Sequence, residues 1–192
     1  MGNYKEAIRY LFMGDSIYVS EGTSENRIAT VNNIGVVYYN QSDYDKAIEY
    51  FRKAEQFFQP GLVTESFIIN RSNLAECFYF QKRFAESEKL LLQYYPDAIK
   101  NSYIRIGTRM ANVLGKLYFD QGVVEKSGTY FKQAYEYSKR SGSKEDLIDA
   151  LVYLGKIDAL GNNMAGAIKS ISEARDIGVQ TGMASKSWEP FY

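Results

Sequence analysis

One pattern of small and aromatic residues recurs along this chain with a period of 40 residues. Its seven columns are headed by Ile34, Gly35, Tyr38, Tyr44, Ala47, Phe51 and Ala54. In four copies of these columns, 26 of 28 positions hold a small or apolar residue of the expected kind, and only Tyr94 and Asp158 depart from it. A fixed period of this length is typical of stacked repeats, each of which buries its apolar face against its neighbours. The sequence therefore predicts a repeat array.

The distribution of helix breakers predicts an all-α fold. The chain has only three prolines, and none of them interrupts a periodic apolar stretch. Two amphipathic stretches alternate in each unit and are separated by Gly, Asn and Ser, which end helices or begin them. We predict a first helix, helix A, over 24–40, 63–80, 103–120 and 144–160, and a second, helix B, over 43–58, 83–95, 123–140 and 163–180. Each unit is thus predicted to be a helical hairpin.

Small residues at fixed columns predict close contact between helices A and B. The residues that lack bulk on helix A are Gly35, Ala75, Gly115 and Gly155, and the complementary small residues on helix B are Ala47, Ser127 and Ala167. Helix A is predicted to be capped at its N-terminus by Ser24, Thr64 and Ser143, whose side-chain oxygens accept bonds from the first helical amides.

The residues of this pattern resemble those of a known repeat family. Ile34-Gly35-x-x-Tyr38, followed by Tyr44-x-x-Ala47-x-x-x-Phe51-x-x-Ala54, resembles the tetratricopeptide repeat, and the resemblance covers nearly the whole chain. The units are longer than the usual unit of about 34 residues. Lengthened units are similar to those of kinesin light chains and of bacterial signalling proteins, where such arrays form sensing or partner-binding regions. The resemblance implies a right-handed α-α superhelix of antiparallel helical hairpins.

The register of the repeat predicts how the chain is organised. We predict a single solenoid over residues 1–192, with helix B of a partial repeat at 3–20, full repeats at 24–59, 63–99, 103–140 and 143–180, and the start of a further repeat at 184–192. Both ends would then cut a hairpin in half, so we expect this to be a piece of a longer protein. The alternative is a short protein with degenerate caps.

Composition and charge exclude several classes of partner. The chain has 23 basic and 23 acidic residues, so it has no net field to attract nucleic acid or anionic lipid. No apolar run is long enough for a membrane span, and the N-terminus lacks the apolar core of a signal peptide. We predict no nucleic-acid or membrane binding by this segment and a cytoplasmic location, with the periplasm as the alternative if a signal peptide has been removed.

The residues needed for common enzyme chemistry are missing from the sequence. The chain has no histidine, so a Ser-His-Asp or Cys-His arrangement cannot be built within it. Its single cysteine, Cys77, lies on the apolar side of its helix and is predicted to be a small buried hydrophobe. No phosphate-binding loop is present. We therefore predict no catalytic activity, no cofactor and no metal site.

Helix A carries a second stripe, which is largely polar and is predicted to line a concave face. The resemblance implies that this face binds peptides or partner segments. The predicted ligand contacts are Asn32, Tyr39, Asn40, Asn73, Glu76, Tyr79, Arg109, Asn112, Lys116, Asp120 and Lys156. At each single position a merely solvated side chain is the alternative. Of the residues that form the family's clamp for a C-terminal carboxylate, only Asn73 and Arg109 match, which argues against that form of recognition.

These observations favour a binding protein over an enzyme. Our leading hypothesis is a protein- or peptide-binding scaffold, the sensory or interaction region of a bacterial signalling protein such as a histidine kinase or transcriptional regulator. The alternative is a receptor for a small signalling peptide or metabolite enclosed by the superhelix.

Overall fold

The computed structural model describes residues 24–183, together with the single helical positions Glu6, Arg9, Tyr10 and Met13. Within 24–183 every regular element is an α-helix. The helices are α1 (Ser24–Asn40), α2 (Tyr44–Glu55), α3 (Glu65–Phe80), α4 (Phe84–Lys100), α5 (Ile104–Asp120), α6 (Val124–Ser141), α7 (Lys144–Leu160) and α8 (Met164–Thr181). The predicted all-α fold class is confirmed. The partial repeats predicted at 3–20 and 184–192 lie outside the described residues, apart from those four single positions.

The predicted alternation of helices A and B is confirmed, and two helix ends differ from the prediction. Helices α1, α3, α5 and α7 are the A helices, and α2, α4, α6 and α8 are the B helices. Helix α2 ends at Glu55 rather than at 58, because the amides of Phe57 and Phe58 turn back to Ala54 and Glu55. Helix α4 does not stop at 95 but continues through Pro96 to Lys100.

Packing explains why α4 continues beyond the proline. A proline inside a helix removes one backbone hydrogen bond and costs about 3 kcal/mol. Ala98 lies in the last turn of α4 and is fully buried, and the Ile99 side chain lies against Gly107 of α5, so the apolar contacts of this turn offset part of that loss.

The chain divides into two compact units, Met1–Asp97 and Ala98–Tyr192. In the first unit α1 packs on α2, α2 packs on α3, and α1 also contacts α3. In the second unit α5 packs on α6, α6 on α7 and α7 on α8, and α5 also contacts α7. In both units, therefore, successive A helices lie next to each other.

Within each hairpin, the backbone of helix A approaches a large side chain of helix B very closely. A Cβ atom added at Gly35 would lie 2.5 Å from the Phe51 ring, and one at Gly115 would lie 2.8 Å from the Phe131 ring. At Gly155 it would meet Ile171 at 2.8 Å. The predicted role of these small residues is thus confirmed.

Hydrogen bonds from helix B reinforce this approach in two of the hairpins. The Ser87 hydroxyl donates to the Ala75 carbonyl oxygen at 2.7 Å, and the Ser127 hydroxyl donates to the Gly115 carbonyl oxygen at 2.9 Å. Both serines are fully buried. A short polar side chain therefore fits here because the carbonyl group of the opposite helix satisfies it.

The predicted helix caps at two A helices are confirmed. Thr64 accepts a hydrogen bond from the amide of Phe67 at 3.2 Å, and Ser143 accepts one from the amide of Asp146 at 3.4 Å. The side chain of Ser24 lies outside the described part of the structure. Cys77 is fully buried beside Leu74 and Phe78, as predicted for a small hydrophobe.

We predict that Gly115→Ala lowers the free energy of unfolding by about 1–3 kcal/mol, because its methyl group meets the fully buried Phe131 ring. The second repeat has Ala75 and Leu91 at these two columns. The double variant Gly115→Ala/Phe131→Leu should therefore lose less than the sum of its single variants. Urea denaturation of all four proteins measures this coupling, and strictly additive losses would contradict the account.

A turn position shared by the hairpins allows a second stability test. Ser42 has φ 59°, and Gly122, two repeats later, has φ 74° with no atom within 4 Å of an added Cβ. Because L-residues are strained in this region, Ser42→Gly should stabilise the protein by about 0.5–1 kcal/mol and Gly122→Ala should destabilise it by a similar amount. Thermal unfolding measures both. Destabilisation by Ser42→Gly would show that backbone strain at this turn position does not determine the change in stability.

Candidate functional site

In the first unit, polar side chains link helix A of one repeat to helix A of the next. The Tyr39 hydroxyl on α1 donates to Glu76 Oε1 on α3 at 2.8 Å. Asn32 Oδ1 on α1 accepts from the side-chain amides of Asn70 and Asn73 on α3, each at 3.4 Å. Asn70 Nδ2 also donates to the Phe51 carbonyl oxygen at 2.9 Å. We call Asn32, Tyr39, Asn70, Asn73 and Glu76 the first polar face.

The amides of the first polar face are buried, and some of their acceptors lack a donor. Asn32 is 6% exposed, Asn70 0% and Asn73 3%. Asn70 Oδ1 and Asn73 Oδ1 have no hydrogen-bond partner among the described atoms. Leaving a buried acceptor unsatisfied costs about 1–3 kcal/mol. The first polar face therefore has fewer hydrogen-bond donors than its buried acceptors require.

In the second unit, α5 and α7 are linked in the same way. Lys116 Nζ forms an ion pair with Asp149 Oδ2 at 2.5 Å. Asn112 Nδ2 donates to the backbone oxygen and to Oδ1 of Asp146, both at 3.2 Å. Asn112 Oδ1 is buried and has no hydrogen-bond partner among the described atoms. We call Asn112, Lys116, Asp146, Asp149 and Tyr153 the second polar face.

Tyr153 brings the lysines of the second unit together. Its ring stacks on Phe131 with centroids 4.6 Å apart. Lys156 Nζ lies 4.6 Å from the centre of the Tyr153 ring, and Lys116 Nζ lies 5.9 Å from it. Burial raises the pKa of the Tyr153 hydroxyl, Lys116 opposes this rise, and Asp120 and Asp149 add to it. The phenol is thus held in its neutral form over a wider pH range.

The structure places the predicted ligand contacts at three depths. The buried ones are Asn32, Asn73, Tyr79 and Asn112; the half-buried ones are Tyr39, Glu76, Arg109, Lys116 and Lys156; the exposed ones are Asn40 and Asp120. It brings Asn32 together with Asn73, Tyr39 with Glu76, and Lys116 with Lys156 around Tyr153. Asn40 and Asp120 lie at the exposed C-terminal ends of α1 and α5.

Sequence reasoning missed several members of the two polar faces. Asn70 falls in a column with Thr30, Met110 and Ala150, and an amide among such residues was the available signal. Asp146 and Asp149 are not among the predicted ligand contacts, although they bond to Asn112 and Lys116, which are. Tyr153 occupies the same column as Asn73, two repeats later. The column identifies its position on helix A but not the side chains that it contacts.

Membrane-spanning helices and clustered metal ligands are both absent from the described residues. No described helix is long and apolar enough to cross a membrane. No group of three or more Cys, Asp or Glu side chains among the described residues is arranged to hold a metal ion.

Comparison with known proteins identifies the repeat. Residues 26–98 match the tetratricopeptide repeat family. A comparison with curated proteins found no match. This family match, together with the structures below, supports the assignment made from the columns, and the predicted resemblance is confirmed.

Solved structures with the same fold include other repeat proteins. BtubC (BKLC) from P. vanneervenii is 17% identical with a TM-score of 0.74, covering 100% of this chain and 78% of that chain. Repeats of a putative kinesin light chain from Podosopora anserina are 17% identical with a TM-score of 0.68, covering 95% and 90%. The Rap conjugation gene regulator of plasmid pLS20, in complex with the Phr* peptide, is 16% identical with a TM-score of 0.78, covering 94% and 50%. At these identities the likeness concerns the fold.

Tyr153 gives the second unit a predictable response to alkali. Because the pKa of Tyr153 in the folded state is raised above 10.0, the unfolded chain loses this proton first. The contribution of the neutral Tyr153 hydroxyl to the free energy of unfolding is complete below pH 10. It is lost as the pH rises through the pKa of Tyr153 in the folded state. We predict that the difference in unfolding free energy between the wild type and Tyr153→Phe is constant from pH 7 to 9. Above pH 10 the wild type should lose stability relative to the variant. Urea denaturation across this range measures it, and a constant difference throughout would refute the assignment.

Proposed function

We propose that the chain, of which residues 26–98 match the tetratricopeptide repeat family, is a protein- or peptide-binding scaffold that uses the polar faces of its A helices. The ligand is an extended peptide or partner segment, whose backbone requires hydrogen bonds and whose side chains require apolar contacts.

The observation that carries this proposal is that the polar groups are held in fixed positions. In each unit, side chains of one A helix bond to the next A helix, as Tyr39 does with Glu76 and Lys116 with Asp149. A solvated stripe has no need of such links. Groups held in place by helices and by one another lose little conformational freedom on binding, which favours affinity.

The composition of these faces supports a peptide rather than an apolar ligand. Buried amide oxygens of Asn73 and Asn112 lack donors among the described residues. Peptide N–H groups are donors of the kind that such oxygens require. Tyrosine and phenylalanine rings beside these groups offer the apolar contacts.

We further propose that the scaffold is the sensory or interaction region of a bacterial signalling or regulatory protein, such as a histidine kinase or a transcriptional regulator. This rests on the likeness to the Rap conjugation gene regulator, of which the chain spans half the length. The repeat fold is typically a non-catalytic scaffold, so we propose no enzymatic role. A cytoplasmic location is part of the same proposal.

A second candidate function is a receptor for a small signalling peptide or metabolite. It is favoured by one observation, that the Rap regulator was solved in complex with the Phr* peptide. This candidate uses the same polar faces and differs in the size of the ligand.

Selection from a display library of random twelve-residue peptides tests the proposal. We expect enriched peptides whose dissociation constants, measured by fluorescence anisotropy, rise at least about tenfold in the variant Lys116→Ala/Asp149→Ala or in Tyr39→Phe/Glu76→Gln. Both double variants remove the linked partners together, so no unpaired charge is left. If a five-residue fragment of an enriched peptide keeps full affinity, the small-peptide receptor is favoured.

The matched control is Lys132→Gln/Glu136→Gln, which removes a charge of each sign from exposed positions of helix B α6. It should leave the dissociation constants unchanged. A lack of enrichment over empty support, or peptides that respond to the control variant instead of the polar-face variants, would refute the proposed function.

A further inference from the structure

One pair of stacked aromatic rings in the first unit is partly open to solvent. Tyr44, at the start of α2, stacks on Phe80, at the end of α3, with centroids 5.1 Å apart and planes 3° from parallel. The Tyr39 and Tyr79 rings each form a T-shaped pair with Phe80, with ring centroids 5.9 and 5.3 Å apart. Phe80 is nevertheless 41% exposed. We call the Tyr44–Phe80 pair the aromatic ledge.

Carboxylates flank the aromatic ledge. Asp45 follows Tyr44, and its Oδ1 accepts a hydrogen bond from Gln81 Nε2 at 2.8 Å, where Gln81 follows Phe80. The acid therefore lies beside both rings. Glu76 precedes Phe80 by one helical turn and accepts from the Tyr39 hydroxyl. Glutamine and tyrosine are neutral donors, so neither of these two bonds neutralises the carboxylate that accepts it. The Arg83 guanidinium, which pairs with Glu86, also attracts Asp45.

Rings of the same cluster already attract a cation of this chain. Lys82 Nζ lies 5.9 Å from the centre of the Tyr79 ring and 5.6 Å from that of Phe84. The negative face of an aromatic ring attracts cations, and a neighbouring carboxylate adds to that attraction. The aromatic ledge likewise combines a ring with a neighbouring carboxylate, and its Phe80 ring is exposed to solvent.

We propose that the aromatic ledge binds an arginine side chain of the peptide ligand; this rests on the proposed scaffold function and names one of its contacts. A planar guanidinium stacks on the exposed Phe80 ring and donates to Asp45 Oδ2, while Gln81 holds Oδ1. Arginine fits better than lysine because its flat group matches both the ring and the carboxylate.

The second unit supplies a natural control for this site. Two repeats later, the positions of Tyr44, Asp45 and Phe80 are held by Val124, Glu125 and Leu160. Leu160 is 63% exposed, so this position is open in both units. The acid is kept there but both aromatic rings are missing, which separates the contribution of the rings from that of the charge.

The test uses the ¹⁵N-labelled chain and two blocked tripeptides, Ac-Ala-Arg-Ala-NH₂ and the same peptide with citrulline, the neutral isostere of arginine. We expect the arginine peptide to shift the amide signals of residues 44–45 and 80–81. The citrulline peptide should bind roughly threefold to tenfold more weakly, as expected for loss of a cation–π contact.

Single variants then assign the contacts. Phe80→Ala and Asp45→Asn should each reduce the affinity for the arginine peptide to the level of the citrulline peptide, whereas the matched controls Leu160→Ala and Glu125→Gln should leave it unchanged. Asp45 is exposed, so Asp45→Asn keeps the inference testable even if Phe80→Ala does not fold.

Equal affinities for the two tripeptides, absence of shifts at these amides, or equal effects of the test and control variants would overturn the inference. Library-selected peptides that bind without a preference for arginine would overturn it as well, while leaving the scaffold function intact. Failure of the library selection together with a specific arginine response at the ledge would instead refute only the scaffold function.

Discussion

The close approach of helix A to a large side chain of helix B is the constraint on which each hairpin depends. Gly35 leaves no room for a Cβ atom beside Phe51, and Gly115 leaves none beside Phe131. Both rings are fully buried, so neither can move into solvent to make room. The contact fixes which side of helix A faces helix B. It thereby fixes which side is left to meet the next helix A.

That second side is where the polar groups gather. Once the small-residue stripe of α1 lies against α2, Asn32 and Tyr39 are turned towards α3, and the same rotation turns Asn112 and Lys116 of α5 towards α7. Buried amides and ion pairs contribute less to stability than well-packed apolar residues would. A face of this composition therefore stabilises the fold less than an apolar face would, which agrees with the ligand-binding role that we propose for it.

Much of the fold could be predicted from sequence because the 40-residue period indicates both where the helices lie and which columns hold their contact residues. The Ser127 column, for example, predicted a small residue, although only the structure shows its bond to the Gly115 carbonyl oxygen. Helix ends were harder, since the turn after Glu55 and the helical turn beyond Pro96 depend on local bonds and packing rather than on period.

The polar faces were only partly predictable. A column identifies a position on helix A, but the partner of a side chain lies 33 to 41 residues away and is not in the same column, as with Lys116 and Asp149 or Asn32 and Asn73. Asn70 and Tyr153 were missed for this reason. Whether a polar residue is solvated or linked depends on which side chain faces it across two helices.

NMR cross-saturation from a selected peptide to the deuterated chain tests the central claim most directly. The account predicts that the signals that lose intensity belong to the A helices, α1 and α3 in the first unit or α5 and α7 in the second. Loss of intensity mainly along the B helices α2, α4, α6 and α8, with the A helices unaffected, would contradict it.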